Sequence, residues 1–548
     1  MKNKIKLGIT ILLIVGVFFR FYNLDYKIYW LDETFTALRV SGYSAPELAE
    51  VIPKNQILTI QDIQGYYHPS PDRPFSDVVQ ALENNAEHAP LYFVILRFWR
   101  EWFGSSVAVT RSLSAWISLL VFPGVYWLCL ELFKSPLTAW IAMGLLAISP
   151  FQVLYAQEAR QYSLFAVVIL FSSAALLKAI RLQNSSSASI KQNGFSWNIY
   201  AVSIVFGLYT HLLFVLVLFS HGIYCLWLER FRWTKIVKHY IIANIMGWVA
   251  FIPWIVVIIQ KLISVLQKRL NTIETIQNTD ILQANILQSQ SGKPPLSVYL
   301  ESWLVNTARQ FVDFGWSSAT PSLTMKLSLP LLLSIVVLVI YALYFTQKTT
   351  DRKTFLFVIT IVFIPWLILA IPDLIFGSTR SNLQRYLIPS SLGMQIAVAY
   401  LFSVQINSRK RYPVNPWKLI TLVCFMLGIV SCGLSSQSQD WWNKRPDSHS
   451  LEVTAMVNRS PNALLMTRSY TAMHLGSLSY RLDPNIKVWL IDESSIKIPQ
   501  GYEELFLYDP SKEMIQQIQS VYELNLEPVS ESKNRRTDLN WLWRLNLV

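Results

Sequence analysis

KNKIKLGITILLIVGVFFRFYNLDYKIYWLDET, residues 2–34, joins a basic start, a long apolar run and an acidic pair. Lys2, Lys4 and Lys6 precede an apolar run over 5–22, an aromatic stretch follows from Phe18 to Trp30, and an acidic pair, Asp32 and Glu33, closes it. About 20 apolar residues carry a helix across the hydrocarbon core of a bilayer. A secretory signal would end in a small-residue cleavage site, which this run lacks, so it reads as a retained anchor.

The same apolar signature recurs downstream, at 107–132, 136–152, 163–181, 198–210, 212–229, 239–260, 326–346, 354–376, 386–405 and 417–435. Composition agrees: of 548 residues, 53% are hydrophobic, 14% aromatic and 15% charged. Soluble domains carry about 25% charged residues, so disorder, a fibrous protein and an ordinary cytosolic enzyme are excluded. The net charge of +13 would raise the question of nucleic acid in a soluble chain. Here the basic residues sit between apolar runs and read as topology, with the bilayer rather than nucleic acid as partner. Cys129, Cys225, Cys424 and Cys432 lie in or beside apolar runs, without the spacing of a zinc site or a disulfide framework.

Basic residues in short loops mark the cytoplasmic side. With the amino terminus inside, the loops at Lys134, Arg181 to Lys191, Arg230 to Lys235, Lys348 to Lys353 and Arg409 to Arg411 are all cytoplasmic and all basic. The fit requires that residues 88–104, with Arg97, Arg100, Glu101 and Trp102, lie on the outer surface as an amphipathic or re-entrant helix. The expectation is a polytopic α-helical membrane protein with about eleven transmembrane helices. Residues 1–435 form the membrane domain, with extracytoplasmic loops at 23–106 and 262–325. The tail, 436–548, alternates strand-like runs (463–467, 486–491, 504–508, 539–546) with helix-like runs (449–457, 471–480, 510–521), which predicts a small extracytoplasmic α/β domain.

In this topology the unusual polar residues gather at the outer ends of the spans. Asp32 and Glu33 could simply favour a helix amino terminus. Two adjacent acids among aromatics at a membrane surface nevertheless point to function, because buried like charges cost free energy. His88 in EHAPLYF and Arg111 in VTRSLSAW persuade less singly: such a histidine is usually structural, and an arginine can snorkel. In SPFQVLYAQEARQYSLF (149–165), Glu158 and Arg160 interrupt two apolar helices beside Gln157, Gln161 and Tyr162. Residues two apart do not face each other on a helix, so these reach different partners. His211 in GLYTHLLF stands at another outer turn. Arg380, Arg385 and Tyr386 in STRSNLQRYLIPSS (378–391) put arginines where the positive-inside rule disfavours them. They ask for an anionic partner, and arginine binds phosphate in a fork. Together these residues suit a substrate with a phosphate head and a hydrophobic tail.

In order along the chain stand an acidic pair after the first span, His-x-Pro-Leu-Tyr, Arg-Ser-Leu-Ser-Ala, Tyr-Ala-Gln-Glu-Ala-Arg-x-Tyr-Ser, Tyr-Thr-His and Arg-Tyr-Leu-Ile-Pro. The sequence resembles the membrane glycosyltransferases of the GT-C architecture, in particular bacterial relatives of the dolichyl-phosphate-mannose protein mannosyltransferases and of the lipid A aminoarabinose transferases. The resemblance covers roughly residues 5–435, and the tail only by position. It implies transfer of a sugar from a polyprenyl-phosphate donor to a glycan, lipid or protein acceptor outside the cytoplasm, with inversion, in a bacterial plasma membrane. It makes Asp32 the candidate base, with Glu33 its neighbour and Glu158 a less secure second acid. Arg160, Arg380, Arg385 and Tyr386 would hold the donor phosphate, and His88, Arg111, Gln157, Tyr162 and His211 would line the site. One departure is Ala89, where the family often has a proline.

The chemistry fits independently. A polyprenyl phosphate leaves as a stabilised anion, so one carboxylate suffices to take the acceptor's proton while arginines hold the departing phosphate. No cofactor is implied with certainty. A divalent metal is left open, with Asp32, Glu158 and His88 as ligands of suitable type. A transporter or flippase of lipid-linked sugar is the competing reading, but it needs a polar path across the membrane, and the polar residues cluster at one side. A structural envelope-assembly role through the tail is a third.

Overall fold

Each of the eleven apolar runs lies in helical structure in a computed structural model, which describes residues 2–186, 189–275, 293–317, 320–408, 415–460, 462–492, 496–522, 524–534 and 538–547. The basic loop at Arg409 to Arg411 and residues 276–292 of the second large loop lie outside the described residues. Seven described helices are long and apolar enough to cross a membrane, and an eighth if Pro136–Ala147 and Pro150–Ala156, bent by 61°, form one span. The other three runs form Lys2–Phe21, Ile190–Thr210 and Phe214–Leu228. The last has 15 residues, about 22 Å of rise, against roughly 30 Å of hydrocarbon.

The chain divides into two compact units. The first comprises Met1–Tyr22, Ala86–Tyr92 and Arg111–Gln437. Its innermost helices are Tyr162–Gln183 and Gln384–Asn407, while Lys235–Lys268 and Ser322–Thr349 turn most of their apolar surface outward. Exposed apolar helix faces on this scale are at home only against lipid. Arg20 ties this unit together: its guanidinium donates to the carbonyls of Gly16 (2.8 Å), Ala147 (2.6 Å) and Leu146 (2.9 Å) and to Ser118 Oγ (3.1 Å). It thereby satisfies carbonyls left over at the end of helix Pro136–Ala147. Gly16 permits the approach, since a Cβ there would collide with the backbone of Ala147.

The second unit comprises Asn23–Asn85, Phe93–Thr110 and Ser438–Val548. Its sheet has six strands: β1 (Ile57–Thr59), β2 (Ala463–Arg468), β3 (Lys487–Ile491), β4 (Glu504–Tyr508), β5 (Leu524–Pro528) and β6 (Leu542–Leu547). They are ordered β1-β3-β2-β4-β6-β5. The central β3, β2 and β4 run parallel, and β1, β6 and β5 join antiparallel. The expected α/β architecture is present, but the sheet draws on the first loop as well as the tail: Leu58 of β1 pairs with Val488 of β3.

Strand alternation explains why. Leu464, Met466 and Leu507 face one side, covered by Met514, Ile515 and Ile518 of helix Lys512–Tyr522. Leu465, Val488, Leu490 and Phe506 face the other, covered by Leu38, Leu48, Ile52, Ile63 and Tyr67 of the first loop. Val453, Val457, Leu475 and Leu478 of the tail complete that cover. Burying each such aliphatic side chain contributes roughly 1.5–3 kcal/mol, so the tail without the loop would leave part of one sheet face uncovered. Capping boxes at Ser44/Glu47 and Thr59/Asp62 start the short loop helices that deliver this cover. Helix Leu91–Phe103 has only 13 residues, too few to span. It buries Arg97 and Arg100 and exposes Trp102 and Phe103.

Candidate active site

The acidic pair sits where helix Leu31–Val40 begins, after the extended residue Trp30. No side chain of Trp30 caps this helix; instead Leu31 N–H donates to Asp447 Oδ2, from the tail. Glu33, wholly buried, forms an ion pair with Lys444, its Oε2 lying 2.6 Å from Nζ. Ile28 N–H donates to the Gln439 carbonyl (3.0 Å), and Ser477 Oγ to the Tyr29 carbonyl (2.7 Å). The loop bearing the acids is thus fastened on both sides to the tail. Asp32, half-buried in the first turn, acts electrostatically on Asp447. Burial, then the Asp32 and Asp440 charges, push the Asp447 carboxyl up to about 6 against the opposing pull of Leu31 N–H and Lys444.

Sequence reading missed Lys444 and Asp447. Their signal was local: DWWNKRPD (440–447) is an aromatic and charged stretch directly after the last apolar run. Nothing in it says which loop it grips.

The helical unit gathers a second constellation around the turn between helices Pro150–Ala156 and Tyr162–Gln183. Gln157 Nε2 donates to the Phe19 (2.7 Å) and Tyr22 (2.8 Å) carbonyls, closing the first helix. The turn is braced by Arg160 N–H on the Glu158 carbonyl (2.7 Å) and by Ser114 Oγ on the Arg160 carbonyl (3.3 Å). Ser114 in turn bonds Tyr92 OH at 2.7 Å. This connects the Arg-Ser-Leu-Ser and His-x-Pro-Leu-Tyr runs, and Arg111 is fully buried one turn before Ser114. The Tyr162 ring lies 4.9 Å from Tyr155, 6.2 Å from His211 and 5.9 Å from the Arg160 guanidinium carbon. His211 stacks on Phe165 at 4.8 Å, and its Nδ1 accepts from Leu213 N–H at 3.1 Å.

Arg160 and Arg385 both act electrostatically on His211, and Glu158, Arg385 and Arg309 on Tyr155. Glu158, Arg160, Tyr162, His211 and Arg385 therefore converge, and Tyr386 lies beside Arg385, its ring 5.7 Å from that guanidinium. Arg380 stands apart: it is exposed, in a turn held by Asp373, which accepts from Ser378 Oγ and from Ser381 N–H at 2.5 Å. His88 is half-buried, and Ala89 is buried. Sequence reading missed Asp373 and Arg309. The latter donates to Asn306 Oδ1 (3.0 Å), on the helix Leu296–Ala308 that holds the 380–387 segment through Asn306–Asn382 (2.8 Å) and Gln384–Asn306 (3.0 Å) bonds. Among the described residues no three His, Cys, Asp or Glu side chains are grouped as metal ligands.

The chain has the fold of the GT-C membrane glycosyltransferases. Among solved structures it is similar to an oligosaccharyltransferase of Archaeoglobus fulgidus tethered to an acceptor peptide, with TM-score 0.50 and 12% identity over 87% of this chain. The chain spans 63% of that protein's length. Two structures of ArnT from Cupriavidus metallidurans, one apo and one bound to undecaprenyl phosphate, each give TM-score 0.49 and 12% identity, covering 98% of this chain and 97% of theirs. No protein-family model and no curated protein matches the sequence.

Proposed function

We propose that this chain transfers a sugar from a polyprenyl-phosphate donor to an acceptor on the extracytoplasmic face of a bacterial plasma membrane, with inversion. The observation that carries the reading is the division of labour in the acidic pair. Glu33 is committed to Lys444 in a buried ion pair, whereas Asp32 is half-exposed at a helix amino terminus fixed by Asp447. A buried, paired carboxylate is a poor proton acceptor, and an accessible, positioned one is a good one.

Asp32 takes the proton of the acceptor hydroxyl as its oxygen bonds to the anomeric carbon. The bond from that carbon to the phosphate oxygen breaks, and polyprenyl phosphate leaves as an anion. Arg385 and Arg160 stabilise the departing phosphate, since guanidinium forks hold phosphate charge without transferring a proton. Glu33 positions the helix, and Glu158 and His211 order the arginines. The archaeal neighbour was captured with an acceptor peptide.

The test is Asp32→Asn in the purified chain, with turnover measured beside retention of undecaprenyl phosphate. Turnover should fall on the order of a hundred- to ten-thousand-fold with lipid retention unchanged. Near-normal turnover would remove Asp32 as the base. Loss of lipid alone would make the acidic pair part of the binding site.

A further inference from the structure

Helix Leu91–Phe103 carries charge that the transfer reading leaves unused. Arg97 is fully employed: Nε reaches Glu101 Oε1 at 2.5 Å, Nη1 the Val40 carbonyl at 3.0 Å and Nη2 the Arg73 carbonyl at 2.9 Å. Arg100, 2% exposed, is not. Nη1 and Nη2 donate only to the carbonyls of Ala37 (3.3 Å) and Tyr67 (2.6 Å), and Nε is buried without an acceptor. Among the described residues, the titratable groups that act on it are the phenols of Tyr29 and Tyr480 and the like charge of Arg97, with no carboxylate among them. A buried cation lacking a counter-ion costs several kcal/mol, and such a charge calls for an anion.

The space for one is adjacent. A cavity of about 770 Å³ is lined by His68, Arg73, Arg97, Arg100, Glu101 and the turn Gly104–Ser106. Glu101 is occupied with Arg97 at 2.5 Å, and Arg73 pairs with Glu47 at 2.6 Å and Asp77 at 3.5 Å. Gly104, at φ +97°, turns the chain so that Ser106 starts helix Val107–Ser118, its Oγ accepting from Val109 N–H at 3.3 Å. The positive end of that helix adds to the field. His68 is held below its ordinary range by burial and by Arg100, so its neutral ring contributes hydrogen bonding rather than charge.

We propose that this cavity binds an oxyanion, a carboxylate or a phosphate carried on a sugar-sized molecule, with Arg100 as its buried counter-ion. That the molecule is the acceptor rests on the transfer reading. Ala37, whose carbonyl Arg100 holds, follows Asp32 by five residues of one helix, about 8 Å of rise.

Binding is measured calorimetrically on the full chain without donor, using glucose 1-phosphate, glucuronate and inorganic phosphate as probes. One or both sugar anions should bind, and whichever does assigns phosphate or carboxylate. Ser106→Asp keeps the helix cap, since Asp caps as well as Ser, and adds a negative charge at the cavity. It should weaken binding by about tenfold or more with thermal unfolding unchanged. Arg100→Gln should do the same; if that variant does not fold, Ser106→Asp decides. No binding of either sugar anion at about 10 mM, binding of inorganic phosphate alone, or sugar-anion binding indifferent to Ser106→Asp would overturn the proposal. Donor is absent and Asp32 intact throughout, so this result and that of Asp32→Asn stand or fall separately.

Discussion

Lys444 Nζ lies 2.6 Å from Glu33 Oε2, both side chains at most 1% exposed, and 411 residues of chain separate them. Removing one partner from such a pair strands the other charge, which typically costs 3–5 kcal/mol. Lys444→Met should therefore lower stability by about that amount and disorder the start of helix Leu31–Val40. Glu33→Gln with Lys444→Met should recover most of the loss, because Glu33 is then no longer a stranded buried charge. Thermal unfolding of the two variants beside the parent decides. If the double variant is no better than Lys444→Met, the pair is not what holds the loop.

Arg385 and Arg380 sit five residues apart and should behave differently. Arg385 is half-buried against Tyr386 and acts on His211 and Tyr155, whereas Arg380 is exposed. A charge-assisted hydrogen bond is worth about 1.5–3 kcal/mol. Arg385→Ala should thus weaken retention of undecaprenyl phosphate roughly ten- to a hundredfold. Arg380→Ala should change it about threefold or less, as exposed charge contacts do. Equal losses would reinstate Arg380 as a phosphate ligand.

Much of this was legible in the sequence, for identifiable physical reasons. The apolar runs lie in helices because some twenty apolar residues leave the backbone no better way to satisfy itself in lipid. β2, β3 and β4 were readable because apolar runs bounded by turns mark buried strands. β1, three residues of the first loop, and β5, which ends on Pro528, carry no such pattern. That the loop covers one face of the tail's sheet is a non-local fact: Leu38 and Ile63 look like any amphipathic helix residues until Leu465 and Phe506 are placed against them. Residue types alone made Asp32, Glu158, Arg160 and Arg385 candidates. Lys444, Asp447, Asp373 and Arg309 were missed because each matters through a partner far along the chain or through a turn that only the fold closes.

Asp447 predicts a pH dependence of known sign. Its folded carboxyl titrates at about 6, above the ordinary value of about 4. The stability it contributes is fully present below about pH 4 and is lost as pH rises through about 6. His449 opposes it: burial, reinforced by His474, holds its imidazole at about 3, so its contribution is lost as pH falls below about 6.5. Asp447→Asn isolates the first effect, since Asn still offers Leu31 N–H an acceptor. The variant should unfold at a higher temperature than the parent at pH 8 and at a similar one near pH 4. A difference between the two proteins that does not change with pH would show that the Asp447 charge carries no such penalty.

The orientation of the chain yields the last prediction. The basic loops predict an amino terminus in the cytoplasm and a loop-and-tail unit outside. All four native cysteines are buried, so background labelling by thiol reagents should be low. Lys54 and Arg459 are exposed in the loop-and-tail unit, and Lys348 is exposed at the end of helix Ser322–Thr349. In intact cells, cysteines at Lys54 and Arg459 should react with a membrane-impermeant maleimide, and one at Lys348 should react only after the membrane is opened. Because β1 and β3 pair within one sheet, Lys54 and Arg459 must label from the same side whatever that side is. Labelling of Lys348 from outside, with Lys54 and Arg459 protected, would invert the topology. Asp32 would then face the cytoplasm, where an extracytoplasmic acceptor could not reach it.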